Sequence, residues 1–286
     1  MPAAGMSEII RSAQAAGRGV GAFNVIGIEH AEAIVAGAEA AASPVVLPIS
    51  ENCASYHGAL EPITQACLSI AASAAVPVAV HLDHATRDDL VHAAAGVGVR
   101  SVMYDASALS YAENVEATAA VARWCHDRGV WVEAELGEIG GKNGVHSPHA
   151  RTRPDEAAAY VTATGVDTLA VAVGSSHAML TRAAALDLGL IAEIHRAVSV
   201  PLVLHGSSGV PDTGLAGAVR AGMTKINVAK QLNKAFTAAV RACLNGDAGM
   251  VDPRRYGSAG RDAVAAEVAR LLHVIGGADD PVSAVE

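Results

Sequence analysis

Eight short apolar runs, separated by Ala-rich stretches, constrain this chain more than any other feature of its sequence. They are GVGAFNV (19–25), PVVLPIS (44–50), PVAVHLDH (77–84), VRSVMYDA (99–106), VWVEAELG (130–137), TLAVAVGS (168–175), VPLVLHGS (200–207) and TKINVAK (224–230). Each is short and rich in Val, and most are introduced by Gly or Pro, the marks of buried β-strands. The stretches between them read as helices. SYAENVEATAAVARWCHDRG (110–129) carries a capping box, Ser110 with Glu113, and ends in Arg128-Gly129. RPDEAAAYVTATG (153–165) opens with Pro154 and two acids and stops at Gly165.

Strands that alternate with helices form parallel βα units, and eight such units close a (β/α)8 TIM barrel. The expectation is therefore an α/β barrel in which residues 1–286 make one domain. A doubly wound open sheet is the weaker alternative, because no GxGxxG follows the first strand. No linker or low-complexity tract divides the chain.

Composition narrows the function classes. Aromatic residues are 3% of the chain, which argues against nucleic-acid binding by base stacking. The net charge is −9 and no Lys/Arg-rich run occurs, so neither nucleic acid nor an anionic membrane is an expected partner. A small anion remains possible, since backbone N–H groups bind anions locally. Cys53, Cys67, Cys125 and Cys243 are widely spaced and form no CxxC pair, which fits reduced thiols and a cytoplasmic location. No signal peptide is expected from MPAAGMSEII, in which Met1 and Met6 are both candidate starts. Apolar runs are interrupted by charge before they could span a membrane.

The polar residues on these runs sit at their C-terminal ends. Asp83 and His84 end the third strand, Asp105 the fourth, Glu133 and Glu135 the fifth; His177 follows the sixth, His205 ends the seventh, and Asn227 lies near the end of the eighth. In a barrel these ends converge on one mouth, where active sites form. His84, His177 and His205 with one carboxylate make a nitrogen/oxygen donor set suited to Zn2+. If Glu135 serves as that carboxylate, Asp83 is available as a general acid/base. His81 reads as a buried structural histidine, and Glu133 as a hydrogen-bond partner of a neighbouring strand end. The Gly/Ser turn of HGSSGVP (205–211), together with Asn227 before the next helix, is placed for phosphate. Gly206, Ser207, Ser208 and Asn227 are its candidate residues.

Taken together, AFNV, HLDH, RSVMYDAS, EAELGEIGG, GVDTLAVAVGSSH, PLVLHGSSGVP and GMTKINVAK resemble the class II, zinc-dependent ketose-bisphosphate aldolases, nearest the tagatose-bisphosphate branch. The resemblance runs from about residue 8 to 275. It implies a TIM barrel, a zinc ion with a monovalent cation as an additional candidate, and a homodimer or homotetramer. It also implies reversible cleavage of a phosphorylated ketose into dihydroxyacetone phosphate, or a similar ketone, and an aldehyde through a zinc-stabilised enediolate. Carried over by motif, His84, His177 and His205 are the zinc ligands, and Glu135 and Asp105 belong to alternative metal positions. Asp83 acts on the C4 hydroxyl, and the segment from Asn227 to Lys230 joins the HGSS loop in holding phosphate.

The sequence departs from this pattern in four places. Lys142 and Asn143 stand where the family has a loop glutamate, with Glu138, His146 and His149 as candidate substitutes. Ala178 follows the strand-six histidine where glycine is usual, and Lys230 ends NVAK in place of NVAT. Gly257 and Ser258 occupy the region of a tail arginine, with Arg261 further on. These changes point to a substrate other than the common sugar bisphosphates. Three alternatives stand beside the aldolase: a non-catalytic phosphosugar-binding or partner-stabilising barrel subunit, a zinc-dependent sugar-phosphate epimerase or hydrolase, and an imine mechanism through Lys225 or Lys230.

Overall fold

Alternation within each strand decides where its side chains go. The structure, a computed structural model, describes residues 4–137, 151–175, 182 and 184–277. Its strands are β1 (Val20–Phe23), β2 (Val45–Ser50), β3 (Val78–Ala85), β4 (Ser101–Tyr104), β5 (Trp131–Leu136), β6 (Thr168–Val171), β7 (Leu202–Leu204) and β8 (Met223–Val228). All pair in parallel, in sequence order, and β8 closes on β1: a (β/α)8 TIM barrel. The sequence runs overshoot the ladders most at β6 and β7, where the segments 172–175 and 205–207 leave the sheet as loop.

The helices follow from local signals. α1 (Met6–Ala15) precedes the barrel; α2 (Ile28–Ala40), α3 (Glu51–His57), α4 (Glu61–Ser73), α5 (Asp88–Gly96), α6 (Tyr111–His126), α7 (Pro154–Thr164), α8 (Leu188–Ala197) and α9 (Asp212–Ala221) return between strands. α10 (Lys230–Gly246) and α11 (Pro253–Ile275) follow β8. α6 begins with both capping-box bonds formed between Ser110 and Glu113, and α7 ends at Gly165 with φ 69°, a left-handed turn that glycine adopts without steric cost. No helix among the described residues is long and apolar enough to cross a membrane.

Outward residues of the strands, such as Val78, Val80 and Leu82 of β3 or Val132, Ala134 and Leu136 of β5, join the main apolar core beneath the helices. Inward residues form layers. At the bottom Val20, Ala22, Val46 and Ala79 pack on Met6, Ile9, Ile10 and Ala13 of α1. Those four share one helical face at spacings of three and four, so α1 closes the floor of the barrel. Higher up, Met103, Ala170, Ala172 and Val203 form a small apolar cluster of their own. Beside them the inward positions turn polar: His81, Ser101, Glu133 and Lys225, all buried. Above these lies the mouth.

Candidate active site

A pocket opens at the C-terminal ends of the strands, lined by Asn24, Ser50, Asp83, His84, His205, Gly206, Ser207, Ser208, Asn227, Ala229 and Lys230, with about 550 Å3 of empty space continuous with solvent. Asp83, the third inward residue of β3 after Ala79 and His81, stands at its base and is buried. Asn24 Nδ2 donates to its Oδ2 at 2.8 Å, and Asn227 Nδ2 to its Oδ1 at 3.3 Å. These amides hold the carboxylate from β1 and β8 at once. Burial alone would push the Asp83 carboxyl up. The imidazoles of His84 and His205 and the Lys225 ammonium outweigh it and hold the group well below the usual carboxylate range.

His84 breaks the alternation. As the neighbour of an inward residue it would point outward in a regular strand. Instead its φ is +50°, and the β3–β4 register shifts between Leu82 and Ala85. A non-glycine residue in this region costs on the order of 1–3 kcal/mol and persists where surrounding structure fixes it. Here the turn brings the imidazole to the mouth, where Nδ1 lies 2.7 Å from Asp105 Oδ2 and 4.0 Å from Glu135 Oε2.

The hydrogen bonds explain why this cluster suits a metal. Ionised carboxylates accept but do not donate. Asp105 therefore fixes a proton on His84 Nδ1, and Glu133 Oε1, 2.9 Å from His205 Nε2, fixes one there. The other ring nitrogens, His84 Nε2 and His205 Nδ1, lie 3.1 Å apart, within hydrogen-bond distance of each other. Two ring nitrogens at this distance can share one proton or one metal cation. Asp83, His84 and His205 offer ligand atoms within 4.8 Å of one another, as do His84, Asp105 and Glu135. The donor set of imidazole nitrogen and carboxylate oxygen fits zinc.

One layer down, Lys225 Nζ donates to Glu133 Oε2 at 2.8 Å, so one buried carboxylate joins the lysine of β8 to the histidine that follows β7. His81 approaches the same Oε2 at 4.0 Å and shares a 2.8 Å hydrogen bond with Ser101 Oγ. Burial first, then the Lys225 charge, pushes its pKa down to about 3, so this ring is neutral. His81 is buried, as read from the sequence. Glu133 is bonded not to a neighbouring strand end but across the barrel interior, to His205 after β7 and Lys225 of β8, because inward side chains meet at the barrel axis. Lys225, enclosed beneath the mouth and absent from the pocket lining, is not placed to attack a substrate carbonyl.

The opposite wall is a turn. Gly206, at φ 68°, starts the short 3-10 turn Ser207–Gly209. Ser207 Oγ donates to the Asn227 carbonyl, and Ala229 N donates to Ser208 Oγ at 3.4 Å, which ties this turn to the start of α10. Lys230, the first residue of α10, adds a cation to the wall.

The structure thus gathers Asp83, His84, His205, Gly206, Ser207, Ser208, Asn227 and Lys230 around one pocket, with Asp105 and Glu135 against His84. His177, Ala178, Glu138, Lys142, Asn143, His146 and His149 lie outside the described residues. Arg261 is paired with Glu32 at 2.8 Å and does not line the pocket. Asn24 and Ser50 were not among the residues selected from sequence. Their signal is a single polar residue at the end of an apolar strand, in step with its inward positions.

A sequence profile described as "Fructose-bisphosphate aldolase class-II" matches residues 4–280. The YdjI aldolase of Escherichia coli K12 is 31% identical, with a TM-score of 0.84 over 96% of this chain and 97% of that one. The fructose-bisphosphate aldolase of Campylobacter jejuni, at 22% identity and a TM-score of 0.81 over 94% and 93%, shares the fold.

Proposed function

The chain belongs to the class II fructose-bisphosphate aldolase family and is an aldolase, and from that premise we propose that it splits a phosphorylated or otherwise anionic ketose at a zinc centre. The observation that carries this reading is the pair of facing ring nitrogens of His84 and His205 beside the clamped carboxylate of Asp83. His84, His205 and His177 would hold the zinc, with Asp105 and Glu135 as the alternative oxygen ligands. Zinc, when bound, acts as a Lewis acid that stabilises negative charge developing on the ketone-derived half.

The protein's own groups do the rest. Asp83 accepts the C4 hydroxyl proton while the C3–C4 electron pair passes to C3 and the aldehyde leaves; in condensation it returns that proton. Its depressed pKa keeps it ionised, and so able to accept, at neutral pH. Asn24 and Asn227 aim it. Gly206, Ser207, Ser208, Asn227 and the cationic Lys230 seat the phosphate, helped by the N-terminus of α10. Arg261 is engaged with Glu32, which favours a substrate whose aldehyde half differs from that of the common bisphosphates.

The reading includes a homodimer or homotetramer, checked by light scattering. It also includes a cytoplasmic location, the reading that fits four widely spaced cysteines, all of them free thiols.

The decisive experiment is retro-aldol cleavage of fructose and tagatose 1,6-bisphosphates by the zinc-loaded chain, with and without chelator. Triose phosphate release that chelator and Asp83→Ala both abolish is the expected result. Absence of cleavage with zinc stoichiometrically bound would exclude these two substrates and favour a different ketose phosphate, or a binding subunit.

A further inference from the structure

The anion seat is built from two loops joined directly by two side-chain hydrogen bonds, and a larger set of bonds behind them also bears on their spacing. Gly206, Ser207 and Ser208 lie after β7; Ala229 and Lys230 lie after β8. Between them runs the long 3.4 Å contact from Ala229 N to Ser208 Oγ and the bond from Ser207 Oγ to Asn227 O. α10 leans on α11: of its 17 residues only Leu232 is fully buried, and its Phe236 packs against Gly260 of α11. α11 is anchored well, burying Gly260, Val264, Val268, Leu271, Leu272 and Ile275.

A continuous set of side-chain bonds connects these pieces outside the pocket. Arg182, from the segment after β6, donates through Nε and Nη2 to the carbonyl of Val210, at 3.0 and 2.8 Å, and through Nη2 also to Asp212 Oδ1. Val210 is the residue that follows the 3-10 turn, and Asp212 opens α9. Arg270 of α11 takes the other oxygen of Asp212 at 2.6 Å, and grips Glu267 with Nε and Nη2 at 2.8 and 2.9 Å. Glu267 Oε1 in turn accepts from Gln231 Nε2, one residue beyond Lys230. Nearby, Ala184 N donates to the Gly209 carbonyl at 2.9 Å, a second tie to the back of the same turn.

The alternation of cation, anion, cation, anion and amide leaves each charged member with an opposite neighbour. Bidentate and charge-assisted bonds of this kind fix direction as well as distance. None of the five side chains lines the pocket. They reach it only through the backbone they hold.

We infer that Arg182, Asp212, Arg270, Glu267 and Gln231 act as one positioning ladder that sets the spacing of the β7 and β8 loops and thereby the affinity of the anion seat. The inference rests on the phosphate reading of that seat given above. An anion bound by loop N–H groups and one lysine needs donors from both loops at hydrogen-bond distance simultaneously, so a small drift of either loop weakens binding without removing any ligand group.

The test is calorimetric titration of the full-length, zinc-loaded chain with inorganic phosphate, comparing wild type, Arg270→Gln and Arg270→Lys. Arg270→Gln breaks the ladder at its centre and is expected to weaken phosphate binding about tenfold, less than the roughly 100-fold that a misplacement of about 1 Å can cost. Arg270→Lys keeps the charge but loses the fork, and is expected to recover only part of the affinity. A merely structural ladder would lower the melting temperature and leave the affinity of the folded protein within twofold; that outcome overturns the inference. If Arg270→Gln does not fold, Asp212→Asn makes the same break with nearly unchanged shape and the same expectation. Failure of wild type itself to bind phosphate would overturn the seat and the ladder together. Phosphate binding that the variants leave intact overturns the ladder alone.

Discussion

At the floor of the barrel Val20, Ala22, Val46 and Ala79 meet Met6, Ile9 and Ile10 of α1 and exclude water. At the mouth Asn24, Ser50 and Asp83, a few residues further along or just beyond the same three strands, face a polar pocket. The outward positions between them stay apolar throughout: Phe23, Leu47 and Ile49, Val80 and Leu82. The strands therefore write stability on their outer face and lower inner layer, and chemistry on their upper inner layer. The layer between belongs to neither. Glu133, Lys225 and His81 are buried like core residues, yet they hydrogen-bond or face groups at the site. The comparison predicts that substitutions at the mouth cost function, those at the floor cost stability, and those in the middle cost both.

The largest effect should come from removing the metal proposed for the mouth. Chelation, or His205→Ala, is expected to lower activity by roughly a thousandfold or more, since a Lewis acid supplies several kcal/mol of charge stabilisation. Metal analysis should show zinc lost, while circular dichroism stays unchanged. An active, zinc-replete His205→Ala would break the assignment of the mouth. Next comes Asp83→Asn, expected to cost about 10^2 to 10^4-fold in turnover, the usual contribution of a positioned acid/base. Zinc content should remain at wild-type level, which separates the base from the ligands.

The architecture was legible because burial is periodic. Eight short apolar runs, most of them introduced by Gly or Pro, have few explanations, and the barrel is the one that turns their polar ends toward one mouth. The mouth was legible for the same reason at Asp83, His205 and Asn227. His84 was found by its residue type; the sequence shows that Asp83 and His84 break the alternation of the strand, but not that a backbone turn at φ +50° brings the second of them inward. Asn24 and Ser50 were missed because a lone polar residue after an apolar run is also an ordinary strand end. The middle layer was illegible in its pairing. Glu133 and Lys225 lie 92 residues apart, and only closure of the barrel brings β5 and β8 to the same carboxylate. The ladder behind the anion seat joins residues 182, 212, 231, 267 and 270 and is equally non-local.

Glu133→Gln probes that middle layer. Removing one charge from a buried pair leaves the Lys225 ammonium uncompensated, at a cost of about 3–5 kcal/mol in unfolding free energy. The same change removes the carboxylate that orients His205, and loss of such a partner typically weakens metal affinity about 10–100-fold. Denaturant unfolding and competition with a zinc chelator read the two costs separately. A variant that loses only one of them would place Glu133 wholly with the floor or wholly with the mouth, and the intermediate layer would disappear as a category.

Ile10→Ala sharpens the comparison from the other side. Ile10 is fully buried against the inward residues of the barrel floor, at the opposite end from the pocket. Truncation removes buried methyl groups and leaves a cavity that α1 can close only in part, a loss of about 2–5 kcal/mol. Nothing in the pocket touches it: the polar layer of His81, Ser101, Glu133 and Lys225 intervenes, held by its own hydrogen bonds. Turnover and zinc affinity of the folded variant should therefore equal those of wild type, while the midpoint of denaturant unfolding falls. If turnover fell in step with stability, the floor would be transmitting its packing upward through the charged layer. The separation of stability from chemistry along these strands would then be a property of composition alone and not of mechanics.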